Sequence, residues 1–400
     1  MHPKIILVTD SHPCLNGGGI SQTLYNILEG YRSTIYLVDK ANKHLDHNQD
    51  FLHVNLLGYN IFSFPYLNNR VGLFLNSYIR KLNLLLLDLS NKTLINVEKV
   101  DDSIILVSTT DLYKLLLAYK IHKQTTIPIV SYFMDDWLAT EKLSWFTNDA
   151  QNLAKKLLAS SIKWMFISDA LRKALIKRYA IQERPSLVLH NPVEVIDEIE
   201  LRSYANEEPK KNYKLVYAGS IWPMHIDAIE LLAINLQKIG IMLQKHVTLD
   251  IYAPESHWHQ YSNRLNQKNV FYRGYKRYQE LTAVLVKADV LLVTASFTKE
   301  YAYYSSSSVQ TKLTDYMRVG KPILSIAPRG SAINVFVQKW KCGLIVERSR
   351  SDEFLSDIKV ALNQLLAHDQ NFGHDGWVAA KTFFSKKLVR EQFTYFMSLS

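Results

Sequence analysis

Short apolar runs separated by amphipathic stretches set the pattern of this chain. Residues 5–9, 103–108, 128–133 and 163–167 are compact apolar runs bounded by turn residues, as strands buried on both faces should be. Between them, residues 21–31 and 111–122 repeat apolar positions at helical spacing. Strands that alternate with helices predict βαβ units and a mostly parallel sheet. The pattern then stops. Asn191-Pro192-Val193-Glu194 reads as a turn and residues 206–212 as a polar stretch, together an interdomain linker.

Beyond the linker the alternation restarts. Strands are predicted over 213–218, 247–252, 270–273, 290–294, 322–326 and 343–346, with helices over 227–239, 278–288, 311–319 and 351–366. Residues 376–399 read as a last helix, with Phe384 and Leu388 on one face and Val389, Phe393 and Met397 at four-residue spacing. So aromatic a tail should pack on the body and cross back to the first domain. The expected fold is α/β, with two Rossmann-like doubly wound domains over 1–200 and 201–375 and the returning helix over 376–400.

Composition narrows the function. Four hundred residues suit two domains. Cys14 and Cys342 lie far apart, so no disulfide framework is expected and a reducing, cytoplasmic setting fits. The opening apolar run at 5–8 is too short for a signal peptide. No stretch reaches the about 18 apolar residues of a membrane span; the greasiest, 82–89, is broken by Asn83 and Asp88. The net charge of +10 is spread along the chain without an RNP-like signature, zinc-ligand spacing or basic repeat. Nucleic acid is therefore not expected. An acidic substrate, or peripheral contact with the anionic inner face of a membrane, remains open.

Three segments carry candidate chemistry. The first is the turn after the first strand, where Asp10-Ser11-His12 leads to Gly17-Gly18-Gly19 and a helix. Glycines permit close backbone approach and positive φ, and a helix N-terminus offers amides and a positive dipole end. Together they suit a diphosphate; a flexible βα turn is the alternative. The second is Asp135-Asp136 after the 128–133 strand, either orienting an acceptor hydroxyl as a base or capping a helix. The third is 305–322, where Ser307, Ser308, Thr311, Lys312, Leu313 and Asp315 precede Gly320-Lys321-Pro322. Its hydroxyls and Lys312 suit phosphate oxygens, and Asp315 a ribose; otherwise it is a polar loop capping a solvated helix.

In their order, these segments resemble the retaining GT-B glycosyltransferases of the family 4-like, group 1 kind. In the first half the resemblance rests on Val8-Thr9-Asp10, Asn16-Gly17-Gly18-Gly19-Ile20, Met134-Asp135-Asp136-Trp137 and Asn191-Pro192-Val193-Glu194. In the second it rests on Val216-Tyr217-Ala218-Gly219-Ser220, Val270 to Tyr275, and Thr311 to Met317 with Gly320-Lys321-Pro322. It implies two domains facing across a cleft and transfer of a hexosyl group from a nucleoside diphosphate sugar, of UDP or GDP type. The acceptor would be the hydroxyl of a glycan or a lipid-linked carrier, in cell-surface polysaccharide synthesis. No further cofactor and no metal is implied.

The resemblance assigns catalysis to Asp135, Asp136, Lys312 and His12. It assigns donor binding to Gly17, Gly18, Gly19, Gly219, Ser220, His225, Tyr275, Ser307, Ser308, Thr311, Lys312, Leu313 and Asp315. The sequence departs from the family at three points. Ser307 stands where a first glutamate often lies, with Glu300 nearby as a substitute. An Arg and Lys pair is missing after the 213–218 strand, where a protonated His225 would compensate. His12 is the nearest candidate for a first-domain histidine. These gaps keep two rivals open, a non-catalytic partner on the same fold and a nucleotide-sugar epimerase. An apolar, aromatic-rich stretch over 62–90 with Arg70, Arg80 and Lys81 is either a groove for a lipid-linked acceptor, a contact with anionic lipid, or ordinary core helix.

Overall fold

The computed structural model describes residues 2–40, 51–67, 70–96, 100–136, 144–203, 212–367 and 371–398. The chain forms two compact units, 1–189 with 390–400, and 190–389.

The first unit holds a seven-stranded sheet of β1 (Lys4–Val8), β2 (Ile35–Lys40), β3 (Asn55–Tyr59), β4 (Ser103–Val107), β5 (Ile129–Phe133), β6 (Ser161–Phe166) and β7 (Ser186–Val188). Its order is β3-β2-β1-β4-β5-β6-β7, with every pairing parallel. The second holds β8 (Asn212–Ala218), β9 (His246–Tyr252), β10 (Val270–Tyr272), β11 (Val290–Thr294), β12 (Ile323–Ile326) and β13 (Gly343–Val346). They lie in the order β10-β9-β8-β11-β12-β13, also all parallel. Both sheets are Rossmann-like. The central strands are continuous apolar runs because helices cover both faces: β4, β5 and β11 are buried along their whole length.

In the second unit the helix Pro223–Leu243 shows how sequence sets the core. Pro223 opens it where a missing amide costs nothing. Ile226, Ile229, Leu232, Leu236, Ile239 and Leu243 then recur every three or four residues and are all buried. Gln244 ends it in the left-handed region at φ 53°. At β13, a side chain at Gly343 would sit 1.8 Å from the Ile323 carbonyl oxygen, so only glycine lets β12 and β13 pair there.

The six strands expected in the second half are all present. In the first half β2, β3 and β7 escape the apolar pattern, because β2 ends in Asp39-Lys40, β3 is largely exposed and β7 has only three residues. Of the expected linker, Val193 forms a parallel bridge to Ser385 within the second unit; 206–211 lies outside the described residues. The chain closes with helices Phe372–Ala379 and Lys386–Ser398. Within the first unit Phe393 meets the Tyr31 ring edge-on at 5.9 Å. Lys163 Nζ there donates to the Phe396 carbonyl at 2.7 Å.

Strand order reverses between β1 and β4 in one sheet and between β8 and β11 in the other. Ligands of open α/β sheets bind outside the carboxyl ends of the strands at such points. These are the ends from which the Gly17–Gly19 turn and the Gly219 turn emerge.

Candidate functional site

At the end of β1, Asp10 reaches β4's loop. Its carboxylate accepts from the Thr110 amide at 2.9 Å and the Thr110 hydroxyl at 2.8 Å. The following turn is folded on Ser21, whose hydroxyl donates to the His12 carbonyl and whose own carbonyl accepts from the Cys14 amide at 3.3 Å. A side chain at Gly17 would come within 2.3 Å of Ser21 Oγ, whereas one at Gly18 would meet nothing within 4 Å. Positive φ, expected for these glycines, is not used by Gly17, Gly18 or Gly19. Gly17 is needed for packing, and Gly18 leaves open space before the helix Gly19–Leu28, which no side chain caps.

His12 has a partner that sequence reasoning missed. Its Nε2 lies 2.9 Å from Asp39 Oδ2 at the end of β2. Lys114 Nζ stands 3.6 Å from the other Asp39 oxygen and donates to the Val38 carbonyl at 2.9 Å. The carboxylate thus fixes the imidazole ring beside the glycine turn. Twenty-seven positions separate the pair, so no local spacing rule could find it.

The two aspartates after β5 divide. Asp136 is buried, and both its oxygens take Arg178 N–H groups at 2.6 Å. The catalytic role expected for Asp136 is corrected: a carboxylate 1% exposed and held by both prongs of a guanidinium anchors the strand end rather than standing open to a substrate. Asp135 beside it is half-buried. Trp137 lies outside the described residues.

In the second unit the clearest grouping is Tyr217, Gly219, Ser220, His225 and Lys312. Lys312 Nζ lies 3.9 Å from the Tyr217 ring centroid. It is also 3.6 Å from where a Cβ of Gly219 would stand, and Gly219 has φ +126°. That ammonium is buried with no hydrogen-bond partner, and burial pulls its pKa down to about 7. The Tyr217 hydroxyl donates to the Ser220 carbonyl at 2.8 Å and lies 3.2 Å from His225 Nδ1. With its proton committed to Ser220, the phenol oxygen accepts from the imidazole, which places the histidine proton on Nδ1. Burial, and then the Lys312 charge, push the His225 pKa well below the usual histidine value. His225 as a cationic substitute for the missing Arg and Lys pair is therefore corrected: it is a neutral ring that orders the turn.

Tyr316 holds this turn from the other side. Its fully buried hydroxyl accepts from the Ala218 amide at 2.9 Å and donates to the Ala218 carbonyl at 3.2 Å. The helix Lys312–Met317 is thereby tied to the last residue of β8. Asp315, on the same helix, is buried beside Arg318, with Oδ1 3.7 Å from the guanidinium Nε. Burial raises its carboxyl pKa to about 6. The side chain is only 5% exposed and faced by Arg318 and Tyr278, and its Oδ1 is buried without a hydrogen-bond partner.

The remaining candidates scatter. Leu313 is wholly buried and belongs to the core, so its side chain reads no ligand. The Ser307 hydroxyl donates to the Tyr303 carbonyl at 2.7 Å, whereas Ser308 Oγ is buried without a partner. The Thr311 carbonyl accepts from the Thr314 hydroxyl at 3.0 Å. Tyr275 stands half exposed beyond β10, and Glu300 is exposed on the short helix Lys299–Tyr301.

Residues 212–364 match the family model Glycosyl transferases group 1. That match lies within the second unit. The chain is accordingly a glycosyltransferase, and its fold is that of the GT-B enzymes. No curated protein matches it by sequence. Among solved structures it resembles sucrose-phosphate synthase from Thermosynechococcus elongatus at 13% identity and TM-score 0.68, covering 99% of this chain and 98% of that one. Anabaena HepE in complex with UDP-glucose gives 17% identity and TM-score 0.63, with 99% and 100% covered. WaaG, a glycosyltransferase involved in lipopolysaccharide biosynthesis, gives 14% identity and TM-score 0.57, again with 99% and 100% covered.

Proposed function

We propose that this group 1 glycosyltransferase moves a hexosyl group from a nucleoside diphosphate sugar to the hydroxyl of a glycan or lipid-linked acceptor, in the building of a cell-surface polysaccharide. The observation that carries the reading is the Lys312 ammonium, buried and unpartnered beside the Gly219 turn at the carboxyl end of β8. A lone buried cation is costly, and an anion is what relieves it. A diphosphate brought there restores the lysine to its charged form. The charge that grows on the departing diphosphate then meets a donor already in place, and such preorganised electrostatics usually lower the barrier more than any other single effect. Tyr217, His225 and Tyr316 hold the turn that frames this ammonium. The likeness to HepE, seen with UDP-glucose, supports a uridine nucleotide over a guanosine one.

In the first unit, His12 with Asp39 and, for the diphosphate, the open backbone at Gly18 are the groups that carry chemistry. The His12 imidazole, oriented by Asp39, is the group this reading gives to a sugar hydroxyl. A second reading, a non-catalytic partner on the same fold, draws on Ser307, whose hydroxyl is spent on Tyr303 where the family often has a glutamate.

Thermal melts with UDP, GDP, ADP and their sugar forms separate the two. Ligand at about 100 times its dissociation constant adds about 2.7 kcal/mol of stability. A shift with one nucleotide that vanishes in Lys312→Ala supports the donor site. Product release from the matching sugar nucleotide then supports transfer. The absence of any shift favours the non-catalytic reading.

A further inference from the structure

Lys312 Nζ is one of several buried polar atoms left unpaired near the point where strand order reverses between β8 and β11. Thr294, the last residue of β11, ties two of their side chains together. Its carbonyl accepts from Gln310 Nε2 at 2.6 Å, and its hydroxyl donates to the His225 carbonyl at 3.4 Å. A carbonyl only accepts, so the first bond fixes the Gln310 amide, with its nitrogen on Thr294 and Oε1 turned elsewhere. That oxygen is buried, and no described residue donates to it. The His225 ring is fixed as well. Its proton lies on Nδ1, against the Tyr217 hydroxyl at 3.2 Å, which leaves Nε2 as a bare lone pair. Nε2 too is buried without a partner among the described residues, in a side chain 4% exposed.

The ammonium is thus accompanied by two atoms of the opposite need. Lys312 requires an acceptor, while the Gln310 oxygen and the His225 nitrogen require donors. The Lys312 charge bears on His225, yet the three atoms do not satisfy one another. Burying such groups unmet is costly. Phosphate oxygens accept hydrogen bonds, so a diphosphate answers Lys312 and leaves the other two atoms as they were. Sugar hydroxyls donate. A nucleotide sugar carries both kinds of group on one molecule. We infer that Gln310 Oε1, with His225 Nε2, accepts hydrogen bonds from sugar hydroxyls of the donor and so selects which sugar nucleotide the protein takes. This deepens the donor reading of Lys312 and rests on it. The hexosyl group and the ribose both carry such hydroxyls, and binding measurements tell them apart.

The test is calorimetric titration of the full chain with pyrophosphate, UDP and UDP-glucose. Pyrophosphate has no hydroxyl, UDP has those of ribose, and UDP-glucose has those of both sugars. Gln310→Met removes Oε1 at similar side-chain length. It should bind UDP-glucose about tenfold more weakly, the loss of one neutral hydrogen bond, and pyrophosphate as wild type does. Undiminished UDP affinity in this variant assigns the hydroxyl to the hexosyl group, and an equal loss for UDP assigns it to ribose. Wild-type protein gives a check that needs no variant. At least one monodeoxy analogue, of UDP-glucose or of UDP, should bind about tenfold more weakly than its parent, and Gln310→Met should no longer distinguish that pair. Three results would overturn the inference. One is UDP-glucose bound equally by Gln310→Met and wild type. Another is pyrophosphate weakened as much as UDP-glucose, which marks a disturbed turn rather than a lost contact. The third is a wild type that binds every deoxy analogue as it binds the parent. Failure of the donor reading looks different: Lys312→Ala then binds all three probes as wild type does, or wild type binds none, and the inference falls with that reading.

Discussion

The ammonium of Lys312 sits 3.9 Å from the centroid of the Tyr217 ring, the closest cation and ring in the second unit's group of site residues. The aromatic face offsets part of the cost of burying the charge, but burial still brings the lysine down to about 7. The residue is poised between its two protonation states, and an anion decides which it takes.

Removing that cation should separate binding from stability. Lys312→Met keeps the aliphatic contacts with Tyr217 and removes a buried base whose folded pKa lies below its ordinary value of 10.5. Between those two values the unfolded state binds more protons than the folded one, so wild-type stability rises with pH from about 7 to 10.5. The variant should lose that rise, melt higher than wild type near pH 7, and bind no nucleotide. Melts across this pH range check all three.

Tyr316→Phe leaves the Ala218 amide and carbonyl buried without their shared partner. Each unsatisfied group costs about 1–3 kcal/mol. Urea denaturation should show a loss of that order, and nucleotide affinity should fall because the Gly219 turn is no longer tied to the helix Lys312–Met317.

The two neighbouring glycines of the first unit should behave differently. Gly17→Ala forces a Cβ against Ser21 Oγ at 2.3 Å, with a stability loss of about 1–3 kcal/mol. Gly18→Val meets no protein atom in the way of its Cβ. It should melt within about 1 °C of wild type while transfer falls at least about tenfold, because the added side chain fills the space a diphosphate needs beside that backbone. Activity assays paired with melts distinguish the two.

Asp136→Ala should act on folding rather than chemistry. It leaves the Arg178 guanidinium uncompensated, and breaking a buried pair costs about 3–5 kcal/mol. Denaturant titration should show this loss, and Arg178→Ala should show a similar one.

How much of this was legible depended on whether the determining contact was local. The six strands of the second sheet were readable because each is an unbroken apolar run flanked by turn residues. The edge strands β3 and β7 were not, since half-exposed edges need no apolar run. The helix Glu255–Leu265 hid for a related reason: only Tyr261 and Leu265 are buried, so no apolar stripe announces it. Lys312 and Gly219 stood out from local motifs. Tyr217 and Tyr316 did not, because their meaning lies in a cation over a ring and in a phenol bound to Ala218, 98 positions away. Asp136 misled because a carboxylate at a strand end reads the same whether it serves a substrate or Arg178.

The most direct test of the central claim is calorimetric titration of UDP into the protein at pH 8, in two buffers of different ionisation heat. A diphosphate that seats on Lys312 restores its proton, so binding should take up close to one proton per UDP at that pH. Affinity should fall about tenfold per pH unit above 7, and Lys312→Ala should abolish the uptake with the binding. UDP that binds with no proton uptake, or that binds equally well to Lys312→Ala, would contradict the assignment of the diphosphate to this lysine.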